Sequence, residues 1–354
     1  MKVVLLPGAR EVQVVDRPDP EAGPGQVLVR VRASALCRSD MSLYDGTPIV
    51  GGGAAGTGRI VPGHEPAGEV AALGPGVVGV AVGDRVTIYL AVGEGRCEWC
   101  RRGYRMLCPD WKCIGFDVDG GDAEYIVVPA ENCLKIPDEM SFEAAALSTD
   151  MVGTQYSTQA RLGVSGADSV AIFGLGPMGA AGVLVAKARG ARVIAVDVLA
   201  ERLDLATRLG ADVAINSGSE DVVGALRAVT HGAGVDVAID CSGNPAAQNA
   251  ALDATRRLGS VAFVGESRST TINPSDQIIR KMLRIIGGWY FATWEYPAIA
   301  SFIIDNALPV EALVTHRFPL DDAAEAFRMF NARETEKAVF VFDCRSGRPP
   351  YEGV

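Results

Sequence analysis

The chain is poor in basic residues, in histidine and in long apolar runs, and each shortage excludes a class of function. Of its 354 residues, 33 are Lys or Arg, 43 are Asp or Glu and only 3 are His, so the formal net charge is −10. An acidic protein of this kind lacks the basic surface that binding of nucleic acid requires. No charge-free apolar run of about 18 residues is present, which predicts that no segment spans a membrane.

The N-terminal sequence MKVVLLPGAREVQVVDRP does not resemble a secretory signal. Its apolar run between Lys2 and Pro7 is too short for the core of a signal peptide, which predicts a cytoplasmic protein. Hydrophobic residues make up 48% of the chain and charged residues 21%, a composition typical of globular proteins with large cores. A chain of this length is expected to form about two to three domains of roughly 100–200 residues each.

The first part of the chain, to about residue 135, is dominated by short β-type runs between Gly and Pro residues. These runs are VLVRVRAS, AGEVAALG, DRVTIYL and AEYIVVP. Because turn residues bound each of them, they predict a compact, β-barrel-like domain with irregular loops. The glycine-rich stretch GGGAAGTG at 51–58 is predicted to be a flexible surface loop.

From about residue 140 the pattern changes to alternating helices and apolar strands. Ser141 can cap a helix that begins with SFEAAALS, and a second helix is predicted over 151–161. The strands that follow are SVAIFG, RVIAVD, DVAI, VDVAID, SVAFVG and LRIIGG, and the helices between them cover 177–189, 199–209, 220–229 and about 245–257. Continuous apolar strands separated by helices predict an α/β fold with a doubly wound parallel sheet. The tail from VTHRF to AVFVF predicts a strand, a helix that begins at an Asp, and a last strand that rejoins the first domain.

The motif GLGPMG lies between the first strand of this sheet and its helix. Gly174 permits a tight turn, Gly176 lets the backbone approach a pyrophosphate, and Gly179 allows the helix to pack closely on the strand. Pro177 and Met178 follow at the helix N-terminus, where free N–H groups and the helix dipole favour a phosphate. The position of the motif therefore predicts a dinucleotide site.

The second strand of the sheet ends in Asp197, which follows Gly179 at the distance expected for a residue that binds the adenosine ribose. A carboxylate there accepts hydrogen bonds from both ribose hydroxyls and repels a 2′-phosphate. NAD is therefore favoured over NADP. Arg202, on the next helix, either stacks near the adenine or is an ordinary solvated residue.

Three of the 8 cysteines, Cys97, Cys100 and Cys108, lie close together in GRCEWCRRGYRMLC. In a reducing compartment such a group favours a metal site over disulfides. A C-x-x-C turn directs two thiolates at one ion, and a closed structural zinc site needs four ligands. The fourth is either Glu94, which continues the three-residue spacing, or Cys113. The alternative to the whole site is a loop of free thiols.

A second set of candidate ligands is dispersed along the chain. Cys37 lies in ALCRSDMS, His64 and Glu65 lie in VPGHEPAG, and Asp150 lies in STDMVGT. A catalytic zinc ion takes three protein ligands and leaves a fourth position for water or substrate. Taken singly, each residue also has an ordinary structural interpretation: a buried Cys, a His in a turn, or an Asp that caps a helix.

These features together resemble the zinc-dependent medium-chain alcohol dehydrogenase family along nearly the whole chain. The residues that carry the resemblance are Cys37-Arg38-Ser39-Asp40, Gly63-His64-Glu65, the cysteine loop 97–108, Asp150 with Thr154, Gly174 to Gly179, Asp197 and the stretch DGGDAEYIVVP. The resemblance implies a GroES-like catalytic domain over 1–150, an NAD-binding Rossmann domain over 151–290 and a return segment over 291–354 that completes the catalytic domain. It also implies an active site in the cleft between the domains, and a homodimer or homotetramer.

The same resemblance implies that Cys37, His64 and Asp150 are ligands of a catalytic zinc ion, with Glu65 nearby as an occasional ligand. Many members of the family have Cys where this chain has Asp150, and others have an acid. Members usually have four cysteines at the structural zinc site, whereas this chain has Glu94 at the first of the four positions, as some members do.

The resemblance also implies a path for the proton. Ser39 is placed to take the hydroxyl proton of the alcohol, and family members often continue the relay to a histidine at the position of Ser42. Since this chain has serine there, the proton must leave by water or another group. Thr154 and Met178 are implied to contact the nicotinamide, although core packing explains Met178 nearly as well.

The sequence favours an NAD-dependent zinc alcohol dehydrogenase that acts on a secondary or hydrophobic alcohol, because the segment 285–296, IIGGWYFATWEY, is aromatic and apolar. A polyol or sugar dehydrogenase is the alternative, since Trp and Tyr also bind the faces of sugars. A non-catalytic nucleotide-binding module and a metal-free quinone reductase are disfavoured by the presence of the candidate zinc ligands and of Ser39. His231, in a glycine turn, and His316, in a β run, are predicted to have no catalytic role.

Overall fold

The computed structural model describes residues 1–48 and 58–342, which form two compact units. The first unit contains the described parts of Met1–Asp150, with Ala292–Ile304 and the described residues from Val314 onward, and the second contains Met151–Phe291 and Asp305–Leu313. The predicted glycine-rich loop at 51–58 lies outside the described residues, except for Gly58.

Strands make up most of the first unit and the centre of the second. Along the described chain they are β1 (Lys2–Gly8), β2 (Glu11–Asp16), β3 (Gln26–Ala35), β4 (Glu65–Leu73), β5 (Arg85–Ile88), β6 (Ala91–Val92), β7 (Lys112–Cys113), β8 (Tyr125–Pro129), β9 (Cys133–Lys135), β10 (Ser169–Phe173), β11 (Arg192–Asp197), β12 (Val213–Asn216), β13 (Val235–Asp240), β14 (Thr255–Phe263), β15 (Arg284–Gly287), β16 (Val314–Phe318) and β17 (Lys337–Val341).

Most of the helices are short. They are α1 (Asp40–Tyr44), α2 (Glu98–Arg101), α3 (Phe142–Leu147), α4 (Gly153–Leu162), α5 (Pro177–Ala188), α6 (Ala200–Arg208), α7 (Val222–Val229), α8 (Pro245–Ala254), α9 (Tyr296–Asp305) and α10 (Ala323–Asn331). A π-helical turn, Ser148–Val152, lies between α3 and α4, and 3-10 turns lie at Thr293–Glu295 and Val310–Leu313. Across residues 1–48 and 58–342, none of the helices combines the length and the apolar composition that crossing a membrane needs.

β3 is the central strand of the first unit. The sheet has the order β16-β17-β3-β4-β5-β9, and β8 also pairs with β3. Val27, Val29 and Val31 alternate along β3, so their side chains point to the same face, where they pack in a core with Ile88 and Ile126. This arrangement confirms the predicted β-rich first domain.

The second unit is a six-stranded sheet with the order β12-β11-β10-β13-β14-β15, in which every neighbouring pair is parallel. Ile172, Ile194 and Ile239 are completely buried, as expected for strands covered on both faces. The order of the strands reverses between β10 and β13, and doubly wound sheets bind ligands at the carboxyl ends of the strands at such a point. The predicted α/β fold with a doubly wound sheet is confirmed.

The resemblance implied one continuous return segment over 291–354, but the described part of this segment is divided between the two units. Asp305–Leu313 belongs to the second unit. The turn Val310–Leu313 packs against α5, and the side chains of Val310 and Leu313 are buried. The resemblance implied that Asp305–Leu313 belongs to the first unit. Burial of these apolar side chains against α5 explains why it packs with the second unit.

Several helix boundaries differ from the predictions by one to three residues, and two of these differences have a clear local cause. α8 ends at Ala254, before the predicted end near 257, because Thr255 has extended backbone and begins β14. α4 begins at Gly153, after the predicted start at 151, because a π-helical turn precedes it. Hydrophobic periodicity carries little information on either point, since both changes involve only two or three residues at helix ends.

Gly179 lies where α5 packs on the end of β10. A Cβ atom at this position would lie 1.9 Å from the carbonyl oxygen of Gly174. Gly174 has a φ of +81°, and a Cβ atom there would lie 2.6 Å from the Cβ atom of Ser242. Both positions therefore require glycine. Gly179 requires it because two backbones approach closely, and Gly174 requires it for close packing and for its positive φ.

We expect Gly179→Ala to lower the free energy of unfolding by about 1–3 kcal/mol, because α5 must move away from the glycine turn to accept the methyl group. Denaturant unfolding measures this change. Gly166→Ala is the matched control, since the nearest atom to a Cβ there is 3.5 Å away. Equal stability of the two variants would contradict the packing described for Gly179.

Candidate active site and metal centres

Four side chains of the first unit bring their ligand atoms together. Cys37, His64, Glu65 and Asp150, here called the histidine cluster, each offer one atom, and these atoms all lie within 4.8 Å of one another. Cys37 follows β3, Glu65 begins β4, and Asp150 lies in the π-helical turn after α3. Because the pairing of β3 with β4 sets Ala35 opposite Glu65, residues that are distant in sequence meet at the ends of two strands.

The distances within the histidine cluster are those of a shared ion site. Sγ of Cys37 lies 3.6 Å from Oδ2 of Asp150, and Nε2 of His64 lies 3.7 Å from the same oxygen. Oε1 of Glu65 lies 4.0 Å from Nε2 of His64. Donor atoms that each lie about 2.0–2.3 Å from one zinc ion would be separated by similar distances.

Asp40 orients His64, a role that the sequence analysis did not assign. Its Oδ1 lies 3.0 Å from Nδ1 of His64, and its Oδ2 accepts a hydrogen bond from the backbone N–H of Cys37 at 2.8 Å. Nε2 of His64 therefore faces the other donors, as it does in metal-binding imidazoles whose second nitrogen is bonded to a carboxylate. Burial alone would lower the pKa of His64, but the neighbouring carboxylates of Asp40 and Asp150 raise it well above its ordinary value.

Lys337 is the second residue that sequence reasoning missed. It lies in β17 with 1% of its surface exposed, and its Nζ lies 2.5 Å from Oε1 of Glu65. Burial raises the pKa of Glu65 to about 8, in spite of the attraction of Lys337. The one signal in the sequence is a Lys at the start of the apolar run KAVFV, where its charge is out of place.

The donor set of the histidine cluster fits zinc. Imidazole, thiolate and carboxylate are the ligands that zinc takes in proteins. Oε2 of Glu65 is buried and has no hydrogen-bond partner within residues 1–48 and 58–342. This oxygen is therefore an unsatisfied acceptor within the histidine cluster. A cation would offset the buried negative charge of Cys37, Asp150 and Glu65, for which Lys337 supplies one positive charge.

Ser39 lies beside the histidine cluster, and Ser42 is hydrogen-bonded to the backbone of Ser39. Oγ of Ser39 is 3.5 Å from Nε2 of His64, so its hydroxyl lies beside the candidate ligands. Oγ of Ser42 donates a hydrogen bond to the carbonyl oxygen of Ser39 at 2.7 Å. The hydroxyl proton of Ser42 therefore points back to the helix backbone.

The second group of candidate ligands is Glu94, Cys97, Cys100 and Cys108, whose donor atoms also lie within 4.8 Å of one another. They belong to residues 94–108, here called the cysteine lobe. Cys97 caps α2, and its Sγ accepts a hydrogen bond from the backbone N–H of Cys100 at 3.4 Å. A carboxylate oxygen of Glu94 accepts a hydrogen bond from the backbone N–H of Cys97. Three thiols and a carboxylate fit a closed, four-coordinate zinc site.

Cys113, the other candidate for the fourth ligand, has a different environment. Its Sγ donates to the carbonyl oxygen of Ile114 at 3.5 Å. Cys113 is not among the residues whose ligand atoms lie within 4.8 Å of one another in this group. The geometry therefore brings Glu94, and not Cys113, to the three clustered cysteines.

The glycine motif of the second unit lies between β10 and α5. Gly176 precedes the helix and Pro177 is its first residue, so the helix N-terminus opens onto this turn. A Cβ atom on Gly176 would meet only the guanidinium group of Arg202, at 3.8 Å. The space beside the turn is therefore open to a ligand, while Met178 is half-buried next to it.

Asp197 ends β11, and its carboxylate is held by the backbone. Its oxygens accept hydrogen bonds from the N–H groups of Leu175, at 2.6 Å, and Leu199, at 3.0 Å. Nη1 of Arg202 lies 3.9 Å from Oδ2 of Asp197. The guanidinium of Arg202 thus lies beside the glycine turn. In α4, Thr154 is buried, and its Oγ1 has no hydrogen-bond partner in the described part of the chain.

The two other histidines lie outside both groups of candidate ligands. His231 follows α7 and is exposed, with a φ of +53°. His316 lies in β16, where its ring stacks on that of Phe318 with the centroids 6.1 Å apart.

Asp122 is a further buried carboxyl group in the first unit that the sequence analysis did not single out. Its Oδ1 accepts a hydrogen bond from Oγ of Ser34 at 2.7 Å, and Oδ2 has no partner among the described residues. It packs against Gly63, where a Cβ atom would lie 2.3 Å from Oδ1. Burial, together with the negative charge of Asp40, raises the pKa of Asp122 to about 7.

We expect Asp122 to make the folded protein less stable as the pH rises. Its pKa is about 7 when folded against an ordinary value of 3.8. Since the folded state holds the proton more tightly, the stabilisation is complete below pH 4 or so and is lost as the pH rises through about 7. The stability of Asp122→Asn relative to the unchanged protein should therefore increase from pH 5 to pH 7 by roughly 1.4 kcal/mol per unit at most.

Denaturant unfolding at pH 5, 6, 7 and 8 or so measures this difference. Asp204→Asn, at an exposed position of α6, controls for the loss of one negative charge. Parallel pH profiles for Asp122→Asn and the unchanged protein would contradict the assignment of a protonated, buried carboxyl group.

Comparison with known proteins gives matches in both units. A model of the alcohol dehydrogenase GroES-like domain matches residues 23–138, and a model of zinc-binding dehydrogenases matches residues 177–305. The chain is 38% identical to an L-threonine 3-dehydrogenase of Pyrococcus horikoshii, over 94% of both chains. It is 34% identical to a sorbitol dehydrogenase of Bacillus subtilis, over 92% of both chains.

Solved structures agree with these relatives. The alcohol dehydrogenase TADH from Thermus sp. ATN1 superposes with a TM-score of 0.89 and 30% identity, covering 96% of this chain and 99% of that one. An NAD-dependent alcohol dehydrogenase superposes with a TM-score of 0.84 and 31% identity, covering 97% and 100%. The family models match both units, and the relatives cover more than nine-tenths of the chain. This chain therefore belongs to the zinc-dependent medium-chain alcohol dehydrogenase family and is an oxidoreductase.

Proposed function

We propose that this protein is a zinc- and NAD-dependent alcohol dehydrogenase that acts on a secondary or hydrophobic alcohol. The observation that carries the proposal is the meeting of Cys37, His64 and Asp150 in one buried cluster with a serine hydroxyl beside it. Three protein ligands leave a fourth coordination position for a substrate oxygen, which is the arrangement of a catalytic zinc site.

Cys37, His64 and Asp150 would hold the metal, and Glu65 would be an occasional further ligand. The chemistry that zinc supplies when bound is a lowered pKa of the alcohol hydroxyl, and NAD supplies a hydride acceptor. Asp40 keeps Nε2 of His64 directed at the ligand set through its bond to Nδ1. Lys337 offsets part of the negative charge of the cluster through Glu65.

Ser39 would take the hydroxyl proton of the alcohol. Its Oγ lies next to the cluster, within reach of a group bound there. Ser42 stands where many relatives have a histidine, and its hydroxyl is bonded to the backbone of Ser39. The proton therefore leaves through water in this proposal, because Ser42 has no titratable group.

The glycine motif and Asp197 would bind NAD. The N-terminus of α5 would receive the pyrophosphate, and Gly176 leaves room for it. The carboxylate of Asp197, oriented by two backbone N–H groups, would accept the ribose hydroxyls and repel the 2′-phosphate of NADP. Arg202 would lie over the adenosine, and Thr154 and Met178 would contact the nicotinamide.

The aromatic and apolar composition of the segment 285–296 supports a hydrophobic substrate. Phe291 and Tyr296 are buried in it, while Trp289 and Trp294 keep exposed faces. A polyol dehydrogenase is the second candidate function, which the similarity to a sorbitol dehydrogenase favours. A screen of NAD reduction with hydrophobic alcohols, polyols and sugars separates the two, since the class with the highest kcat/KM identifies the substrate.

We expect Cys37→Ser to abolish alcohol-dependent reduction of NAD and to lower the zinc content from about two ions per chain to about one, because one ligand set loses its thiolate. Absorbance of NADH and elemental analysis give the two readings. Cys133→Ser replaces another buried thiol, outside both groups of candidate ligands, and should keep both values. Full turnover of Cys37→Ser would end the proposed mechanism.

We expect Asp197→Asn to shift the ratio of the Kd values for NAD and NADP towards NADP by about tenfold or more, or ~1.4 kcal/mol, because a negative charge beside the 2′-phosphate is removed. Fluorescence titration measures both constants. Asp212→Asn, which removes a carboxylate paired with Lys187 in the same unit, is the control. An unchanged ratio would reject the role of Asp197.

A further inference from the structure

The hydroxyl of Tyr296 is used as a hydrogen-bond donor inside the first unit. Tyr296 begins α9 with 1% of its surface exposed, and its OH lies 2.9 Å from Oγ of Ser148. Oγ of Ser148 donates its single proton to the carbonyl oxygen of Ala145, at 2.6 Å. With that proton on Ala145, Tyr296 is the donor in its hydrogen bond with Ser148, and Sδ of Met140, at 4.0 Å, is a weaker acceptor for the same hydroxyl.

Ser148 is the first residue of the π-helical turn Ser148–Val152, which contains Asp150. A π-helical turn has i→i+5 hydrogen bonds in place of i→i+4 bonds, so the side chains within it point in directions that differ from those of an α-helix. The direction of the Asp150 carboxylate, towards Cys37 and His64, therefore depends on this turn being kept. Turns of this kind are rare in helices and occur mostly at functional sites.

Hydroxyl groups stabilise the backbone that leads into the turn. Besides Ser148, Thr87 donates to the carbonyl oxygen of Ala145 at 2.9 Å, and Thr149 donates to that of Ala146 at 3.3 Å. These bonds satisfy carbonyl groups at the end of α3, where the regular α-helical hydrogen bonds are interrupted. Two of these bonds come from distant parts of the sequence: Thr87 reaches the backbone carbonyl of Ala145, and Tyr296 reaches the side chain of Ser148.

The segment before Tyr296 is itself anchored to the cysteine lobe. The backbone N–H of Thr293 donates to the carbonyl oxygen of Gly103 at 3.0 Å, and Nε1 of Trp294 donates to that of Arg102 at 3.0 Å. The backbone N–H of Ala292 donates to Oε2 of Glu295 at 2.7 Å, which closes the 3-10 turn. Tyr296 is therefore presented to Ser148 from a segment with little freedom to move.

We propose that Tyr296 and Ser148 are positioning residues that hold the π-helical turn in the form that directs Asp150 into the histidine cluster. The inference rests on the proposed role of Asp150 as a metal ligand. Neither hydroxyl belongs to the histidine cluster. Each acts through the backbone of the turn, as outer-shell groups commonly do at metal sites.

The test measures the metal site and not only turnover. In Tyr296→Phe and Ser148→Ala, the affinity of the histidine cluster for Zn²⁺ is expected to fall by about tenfold or more, the usual cost of losing an outer-shell partner. Zinc affinity is obtained by competition with a chelator. The ligand-field bands of Co²⁺ bound at the same site report its geometry, with Cys37→Ser identifying the bands that belong to this site.

Tyr125→Phe is the matched control. It removes another buried phenol hydroxyl of the first unit, which accepts a hydrogen bond from Nη2 of Arg30 at 2.9 Å. All variants are also compared by thermal unfolding. A purely structural role would lower the melting temperature of Tyr296→Phe and of Tyr125→Phe alike, and would leave the Co²⁺ bands in place.

Asp150→Asn separates the two proposals. If Asp150→Asn weakens Zn²⁺ binding and Tyr296→Phe and Ser148→Ala do not, the inference about the turn is wrong and the ligand role of Asp150 stands. If Asp150→Asn itself leaves Zn²⁺ binding and the Co²⁺ bands unchanged, Asp150 is not a ligand and the proposed function loses its third donor. Weaker binding with shifted bands in all three variants supports both proposals.

Discussion

Burial of several acidic groups around a single imidazole is the constraint on which the first unit depends. A buried charge is tolerated only where it is paired or binds a metal, because its loss of hydration is costly. Asp40 is paired with His64, and Glu65 with Lys337, so two of the acids have partners within the protein. The ligand atoms of Cys37 and Asp150 lie beside these pairs, where a cation would complete the balance.

The same constraint explains why strands from distant parts of the chain must meet. β3 leads to Cys37, β4 begins at Glu65, and β17 supplies Lys337 from near the other end of the sequence. The pairing of β17 with β3 and of β3 with β4 brings all three into one sheet. The return of the chain to the first unit thus contributes a charge to the site and also extends the sheet by two strands.

The second unit depends on contact between backbones at the glycine turn. Gly179 lets α5 approach the carbonyl of Gly174, and the turn in turn presents its N–H group at Leu175 to Asp197. A carboxylate that is held by two backbone N–H groups has a defined direction, which a flexible surface acid would lack. Phosphate binding and ribose recognition would therefore share one rigid piece of backbone.

Local patterns in the sequence were sufficient to predict the doubly wound sheet and the β-rich first unit, because periodicity and glycine spacing are properties of neighbouring residues. The dispersed candidate ligands Cys37, His64 and Asp150 followed from the resemblance to the family, and their role stays a prediction. Local patterns did not reveal the roles of Asp40 and Lys337, the buried carboxyl group of Asp122 or the π-helical turn that contains Asp150. The resemblance placed Asp305–Leu313 in the return segment, whereas its contacts group it with the second unit. Only the tertiary structure decided these points, since each depends on burial and on contacts between residues far apart in sequence. The sequence determined which chemical groups the protein has available. The tertiary structure decided which of these groups are buried and which of them contact one another.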